Sequence, residues 1–183
     1  MPLVLQWNKR DLPNVAPVEY LEYLFNNRPV PFLSFEADAR GGRNVLATPN
    51  LREGQVSIID TSDWKLLRQI PTLGPGFFLR SHEKSRYAWV DAFMSPRKDT
   101  LQVIDKQTLQ VVRELRPAPG RTAAHVEFTQ DGRYALVSIW ENDGAVVVYD
   151  ASTLEEVKRL PMSKPVGKYN VFNKITRSEG TSH

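Results

Sequence analysis

Cysteine is absent from the 183-residue chain. This excludes disulfides, a thiolate nucleophile, thiolate metal sites and the Cys-x-x-Cys-His attachment of a c-type haem. Long apolar runs are missing too, and no stretch approaches the ~18 residues of a membrane span. The start, Met1-Pro-Leu-Val-Leu-Gln-Trp-Asn-Lys-Arg10, lacks a basic n-region and has three apolar residues before Gln6, so it does not read as a signal peptide. Taken as a complete gene product, the chain is expected in the cytoplasm. Charge of one sign is scarce: 24 basic against 21 acidic residues leave a net +3. That balance suits an anionic ligand and argues against nucleic acid. No zinc-ligand spacing, P-loop, Rossmann glycine pattern or G-x-S-x-G elbow is present.

What remains is an ordinary globular composition, 41% apolar and 25% charged, with 13 prolines and 10 glycines scattered along it. Such scatter suits many short strands joined by turns. The chain also repeats itself. Val56-Ser-Ile-Ile-Asp60, Leu101-Gln-Val-Ile-Asp105 and Val146-Val-Val-Tyr-Asp150 superimpose, with the aspartates 45 residues apart both times. Each aspartate precedes a turn and a second β-rich run, ending at Ile70, Leu115 and Leu160. The upstream halves match as well: Arg86-Tyr-Ala-Trp-Val-Asp-Ala-Phe93 resembles Arg133-Tyr-Ala-Leu-Val-Ser-Ile-Trp140, with Arg43-Asn-Val-Leu-Ala-Thr48 as a weaker copy. Before these stand Phe32-Leu-Ser-Phe35, Phe77-Phe-Leu-Arg80 and Ala124-His-Val-Glu-Phe128. Gln130-Asp-Gly132 and Arg40-Gly-Gly42 supply the positive-φ positions that tight hairpins need.

Each unit therefore offers four short strands, and four strands at a period of about 40–50 residues predict the blades of a β-propeller. The fold class is all-β, with three blades over 32–173 including a last strand. The repeated aspartate reads as a turn residue bonding backbone amides, because a catalytic carboxylate repeated three times makes little sense. Three blades do not close a ring, since propellers use about four to eight. The chain is thus expected to be part of a longer propeller or to complete itself by assembly. Residues 1–31 stand outside the repeat, with Pro17-Val-Glu-Tyr-Leu-Glu-Tyr-Leu-Phe-Asn26 suited to a helical turn or two, and 174–183 form a polar tail.

Candidate chemical residues are few. Of the three histidines, His183 is terminal. His82 follows Arg80-Ser81 at the end of an inner strand, before the turn Glu83-Lys-Ser85, and reads either as a ligand-site residue of the propeller rim or as a cap on turn carbonyls. Strict alternation places Val126 and Phe128 on one face and His125 with Glu127 on the other, a pair that can tune a proton donor or satisfy itself. Trp89 and Trp140 suit blade cores at least as well as ligand stacking.

Gly76-Phe-Phe-Leu-Arg-Ser-His82 with Tyr87-Ala-Trp-Val-Asp91, Ala123-Ala-His-Val-Glu-Phe128 with Val137-Ser-Ile-Trp140, and the ending Pro165-Val-Gly-Lys-Tyr-Asn-Val-Phe-Asn173 together resemble one family. It is the haem d1 propeller of the cytochrome cd1 nitrite reductases and their relatives NirF and NirN, of denitrification and haem d1 biosynthesis. The resemblance implies an eight-bladed, periplasmic propeller holding haem d1 in its central cavity, and oxidoreductase chemistry of the nitrite-reductase or dihydro-haem d1 dehydrogenase kind. It implies a catalytic proton-handling role for His82. It also implies cofactor contacts from His125, Arg80, Gly167 and Lys168, the two cations toward the macrocycle's carboxylates and the glycine allowing close backbone approach. The family's proximal axial histidine and second distal histidine lie upstream of the matched pieces. The chain therefore reads as a fragment, a split gene or a degenerate relative. The implied partners are the remaining blades or a second copy, and a c-type cytochrome as electron donor. Two other classes stay open: a non-catalytic propeller for protein contacts, and a cofactor-free hydrolase.

Overall fold

The computed structural model describes residues 34–37 and 43–166. The chain divides into two compact units, Met1–Val30 and Pro31–His183, and all the strands described belong to the second. The expected features within 1–31, the Arg40-Gly-Gly42 turn, Gly167, Lys168, the last strand and the polar tail lie outside the described residues.

The described residues form twelve strands in three antiparallel sheets of four. Blade one comprises β1 (Ser34–Ala37), β2 (Arg43–Pro49), β3 (Gln55–Asp60) and β4 (Leu66–Pro71). Blade two comprises β5 (Leu79–Ser81), β6 (Tyr87–Asp91), β7 (Leu101–Asp105) and β8 (Gln110–Leu115). Blade three comprises β9 (Ala123–Phe128), β10 (Tyr134–Ile139), β11 (Ala145–Asp150) and β12 (Glu156–Pro161). Within each sheet the strands lie in sequence order, as hairpins joined by short turns dictate. The fold is that of propeller blades, as the repeat predicts.

Burial ranks the strands. The fourth strands are largely exposed, whereas every residue of β9 is buried. The first strands of blades two and three pack on their neighbours and are the inner ones. The alternation of side chains explains why blade two is apolar on both faces. Ala88, Val90, Ile104 and Leu109 join a core with Val45, Val56, Ile58 and Ile70 of blade one. Trp89, Leu101, Val103 and Leu115 join a second core with Val126, Phe128, Val137, Val147 and Leu154 of blade three. Each buried Val, Leu, Ile or Phe among them contributes about 1.5–3 kcal/mol by leaving water, so the blades are held by their shared faces.

The repeated aspartates are turn residues. Asp60 accepts the Ser62 amide at 2.8 Å. Asp105 accepts those of Gln107 and Thr108 at 2.7 and 3.1 Å, and Asp150 those of Ser152 and Thr153 at 2.9 and 3.0 Å. The Ser152 hydroxyl and these two amides hold the Asp150 carboxyl down at about 2. Four residues after each aspartate the backbone turns left-handed: φ is 59° at Trp64, 54° at Leu109 and 63° at Leu154. The third-to-fourth strand pairing shifts register at matching places, Ile58/Ile59, Val103/Ile104 and Val148/Tyr149. The same local structure is thus built three times at one spacing.

Candidate functional site

The inner strands β5 and β9 bring the sequence-derived candidates to the boundary of blades two and three. On β9, Ala124 pairs with Ser138 and Glu127 with Leu136, so His125 and Val126 together face the single residue Val137. This is a β-bulge. His125 is the bulged residue, left-handed at φ 55° and 1% exposed. Histidine tolerates that region better than most residues, yet a non-glycine residue there carries strain that the surroundings must hold. The bulge also breaks the expected alternation: Ala123, Val126 and Phe128 share one core, which an uninterrupted strand could not arrange.

The His125 ring lies nearly parallel to that of Phe78, with centroids 4.6 Å apart and planes at 26°. Its Nδ1 is 3.3 Å from the Val166 carbonyl. Phe78 also meets Phe77 and Trp140 edge-on at 4.8 and 5.9 Å, and Trp140 meets Phe93 at 5.0 Å. Trp140 therefore belongs to this aromatic group, whereas Trp89 is fully buried in the blade core. Glu127 turns toward blade two, where the Arg80 guanidinium donates to it at 3.2 Å, both side chains being buried. The glutamate expected beside His125 is thus the counter-ion of Arg80. Asp91, at the end of β6, is 2% exposed and accepts the amides of Phe77, Phe93 and Phe78 at 2.9, 3.3 and 3.2 Å. Burial pushes its carboxyl up to about 6, against the pull of those amides.

His82 sits apart from this group, in the β5–β6 turn. Its Nδ1 accepts the Lys84 amide at 3.1 Å, which places the ring proton on Nε2, 3.1 Å from the Gln130 carbonyl of blade three. Gly132, at φ 72°, packs so closely on the ring that a Cβ there would lie 2.4 Å from Nδ1. The Lys106 ammonium donates to the His82 carbonyl at 3.0 Å. Burial lowers the imidazole pKa, opposed by the Gln130 bond. A neutral ring with both nitrogens on backbone groups fastens two hairpins together; to move a proton it must first release one of these bonds.

The structure therefore brings Arg80 and His125 to one blade boundary and places His82 in the neighbouring hairpin lock. Sequence reasoning missed Asp91 and Phe78. Their one sequence signal was position: Phe78 immediately precedes an inner strand, and Asp91 ends the strand beside it. Among the described residues, no group of three or more His, Cys, Asp or Glu could hold a metal ion, and no helix is long and apolar enough to cross a membrane.

Three four-stranded blades stacked face to face define the class: a segment of a β-propeller. The chain belongs to the cytochrome D1 heme domain family, whose model matches residues 31–174. It is 62% identical over 144 residues to the dihydro-heme d1 dehydrogenase of Pseudomonas aeruginosa, covering 79% of this chain and 29% of that protein. It is 34% identical over 119 residues to protein NirF of the same organism, covering 65% and 29%. The solved dihydro-heme d1 dehydrogenase NirN in complex with DHE superimposes with a TM-score of 0.69 at 61% identity, over 72% of this chain and 28% of that one. A hydrazine synthase from Kuenenia stuttgartiensis shares the fold at 19% identity and a TM-score of 0.57, over 75% and 37%. The chain spans under a third of the length of these curated relatives.

Proposed function

We propose that this chain supplies blades of a haem d1-handling propeller of the dihydro-haem d1 dehydrogenase kind, an oxidoreductase domain completed by further blades and working in the periplasm. The observation that carries the reading is the 62% identity to a dihydro-heme d1 dehydrogenase across the segment containing both inner strands. The donor set fits a flat, anionic, aromatic ligand. Phe77, half exposed, belongs to a group with Phe78, Phe93 and Trp140 that suits stacking. Arg80 suits a carboxylate, its charge already balanced in part by Glu127, while Gly167 and Lys168, which the resemblance assigns to the same ligand, lie outside the described residues.

In this reading the macrocycle is the substrate, and its oxidation removes two electrons and two protons. His125, at the bulge, is the residue we assign to the ligand and is suited to accept one of these protons, the other passing to water. His82 acts through the frame, fixing the hairpins that carry β5 and β9. The electrons leave to an acceptor outside these blades, a c-type cytochrome being the candidate. The test is a chimera in which residues 31–174 replace the matching segment of the Pseudomonas aeruginosa dehydrogenase. Dihydro-haem d1 should shift its visible spectrum on binding, and His125→Ala should abolish the conversion while His82→Ala mainly lowers thermal stability. A folded chimera whose addition leaves the ligand spectrum unchanged rules the reading out.

A further inference from the structure

Register aligns the face of blade one turned away from blade two with surfaces that are covered in the other blades. Leu46 pairs with Ile59 in blade one, as Ala88 pairs with Ile104 in blade two and Ala135 with Tyr149 in blade three. Five residues after Ile59, Ile104 and Tyr149 stand the left-handed residues Trp64, Leu109 and Leu154. In blade two, Ala88, Ile104 and Leu109 lie in the core shared with blade one, and Val111 packs against it. In blade three, Ala135, Tyr149 and Leu154 lie in the core shared with blade two. Each of these blades thus offers the same set of positions to the blade before it. In blade one the set is open: Leu46 and Ile59 are partly exposed, Trp64 is 56% exposed and Leu66 55%. Leu66 matches Val111, since the two pair with Ile59 and Ile104.

Backbone strain points the same way. A left-handed residue other than glycine carries strain that its surroundings must hold. Leu109 and Leu154 are buried in a joint, whereas Trp64 bears the same strain with its indole in water. We propose that this face is the seat of a preceding blade of a haem d1-type propeller, with the Trp64 indole as the anchor that enters the joint. Three observations select that occupant. Both internal joints are built from this set of positions. Three blades fall short of the about four to eight that close a propeller. The matched segment is 29% of the dehydrogenase, which leaves that protein chain for further blades. The internal joints also define what the incoming blade carries. Arg68 of β4 donates to the Thr108 carbonyl at 3.2 Å and Arg113 of β8 to Glu155 at 2.7 Å, each reaching the next blade. The two arginines hold one register position, opposite Ile58 and Val103. A cation at that position of the incoming fourth strand faces the turn at 60–65, where the Asp63 carboxylate is exposed. The proposal rests on the reading of the chain as a segment of such a propeller.

The test places 5-fluorotryptophan in the full chain and in the dehydrogenase chimera, with the Trp64 resonance assigned by its loss in Trp64→Phe. A dissolved paramagnetic chelate should broaden that resonance in the full chain and leave it sharp in the chimera. Trp89, fully buried, is the protected reference in both. Trp64→Asp should lower the melting temperature of the chimera and leave that of the full chain unchanged. Equal broadening of Trp64 in the two folded proteins overturns the proposal. Protection in the full chain that grows with protein concentration also overturns it, since the face then takes a second copy. If the chimera does not fold, the dehydrogenase with tryptophan at the residue aligned with Trp64 takes its place in the same measurement. A protected Trp64 in a chimera that leaves the dihydro-haem d1 spectrum unchanged keeps the joint and removes the haem reading. A shifted spectrum with Trp64 still broadened removes the joint and keeps the haem reading.

Discussion

Replacing Gly132 by alanine should unlock the joint between blades two and three. Two effects add. At φ 72° an alanine adopts a left-handed conformation, which costs about 1–2 kcal/mol, offset by about 0.4–1 kcal/mol from a stiffer unfolded chain. The new Cβ would also lie 2.4 Å from Nδ1 and 2.9 Å from Cε1 of His82, so the ring must move. Moving it breaks the Nε2–H bond to the Gln130 carbonyl and the Lys84 amide bond to Nδ1. Leaving one of these buried groups unmatched costs about 1–3 kcal/mol. The net expectation is a loss of about 2–4 kcal/mol, a fall in melting temperature of about 6–12 °C for a chain of this size. Gly120 provides the control, because it has φ 78° and nothing within 4 Å of its added Cβ. Gly120→Ala should lose only about 1 kcal/mol, the strain net of the unfolded-chain effect. Urea unfolding of Gly132→Ala, His82→Ala and the double variant completes the cycle. With the ring removed, Gly132→Ala should cost no more than Gly120→Ala. Equal losses for the two glycine variants in the wild-type background would refute the steric argument.

Further outcomes follow from the same geometry. Trp64 and Leu109 occupy one position of the repeat with the same left-handed backbone, but Trp64 is 56% exposed and Leu109 6%. Trp64→Gly should therefore be neutral or stabilising by up to about 1 kcal/mol as strain is relieved, while Leu109→Gly loses a buried side chain worth about 2–5 kcal/mol before that relief; urea midpoints test both. Acid titration should show two opposed slopes. Asp91, raised to about 6 by burial, binds its proton more tightly in the fold, so its contribution to stability falls as pH rises from about 4 to about 6, by at most about 3 kcal/mol. His82 is lowered by burial, so its contribution falls as pH drops below about 6.5. Asp91→Asn should remove the first slope and leave stability rising with pH across this window; parallel profiles for wild type and variant would contradict the assignment.

The blade pattern was legible because it is local. Repeated aspartates, glycine turns and alternating apolar residues act within hairpins, and the strands end where those signals place them: Ile70, Leu115 and Leu160 all fall in fourth strands. The candidate site was legible only as residue types. His125 was identified, but its surroundings were misjudged, since strict alternation cannot anticipate an extra residue on β9. The pairing of Arg80 with Glu127 spans 47 residues of sequence and that of His82 with Gln130 spans 48. Both arise only when two blades stack. Asp91 was invisible too: the amides of Phe77, Phe78 and Phe93 gather around its carboxylate only once the blade has folded.

Blade two has no spare face, since one side of its sheet enters the core shared with blade one and the other the core shared with blade three. In an array where each unit leans on its neighbours, stability is set by nearest-neighbour terms. In the isolated chain the middle sheet is then the last to open: hydrogen exchange should be slowest at Trp89 and Val103 and quicken in the sheets on either side. It follows that damage is not felt symmetrically. A lesion in β4 or β12 touches exposed outer strands, whereas a change at Trp89 loosens the core shared with blade three and takes the frame of His125 with it.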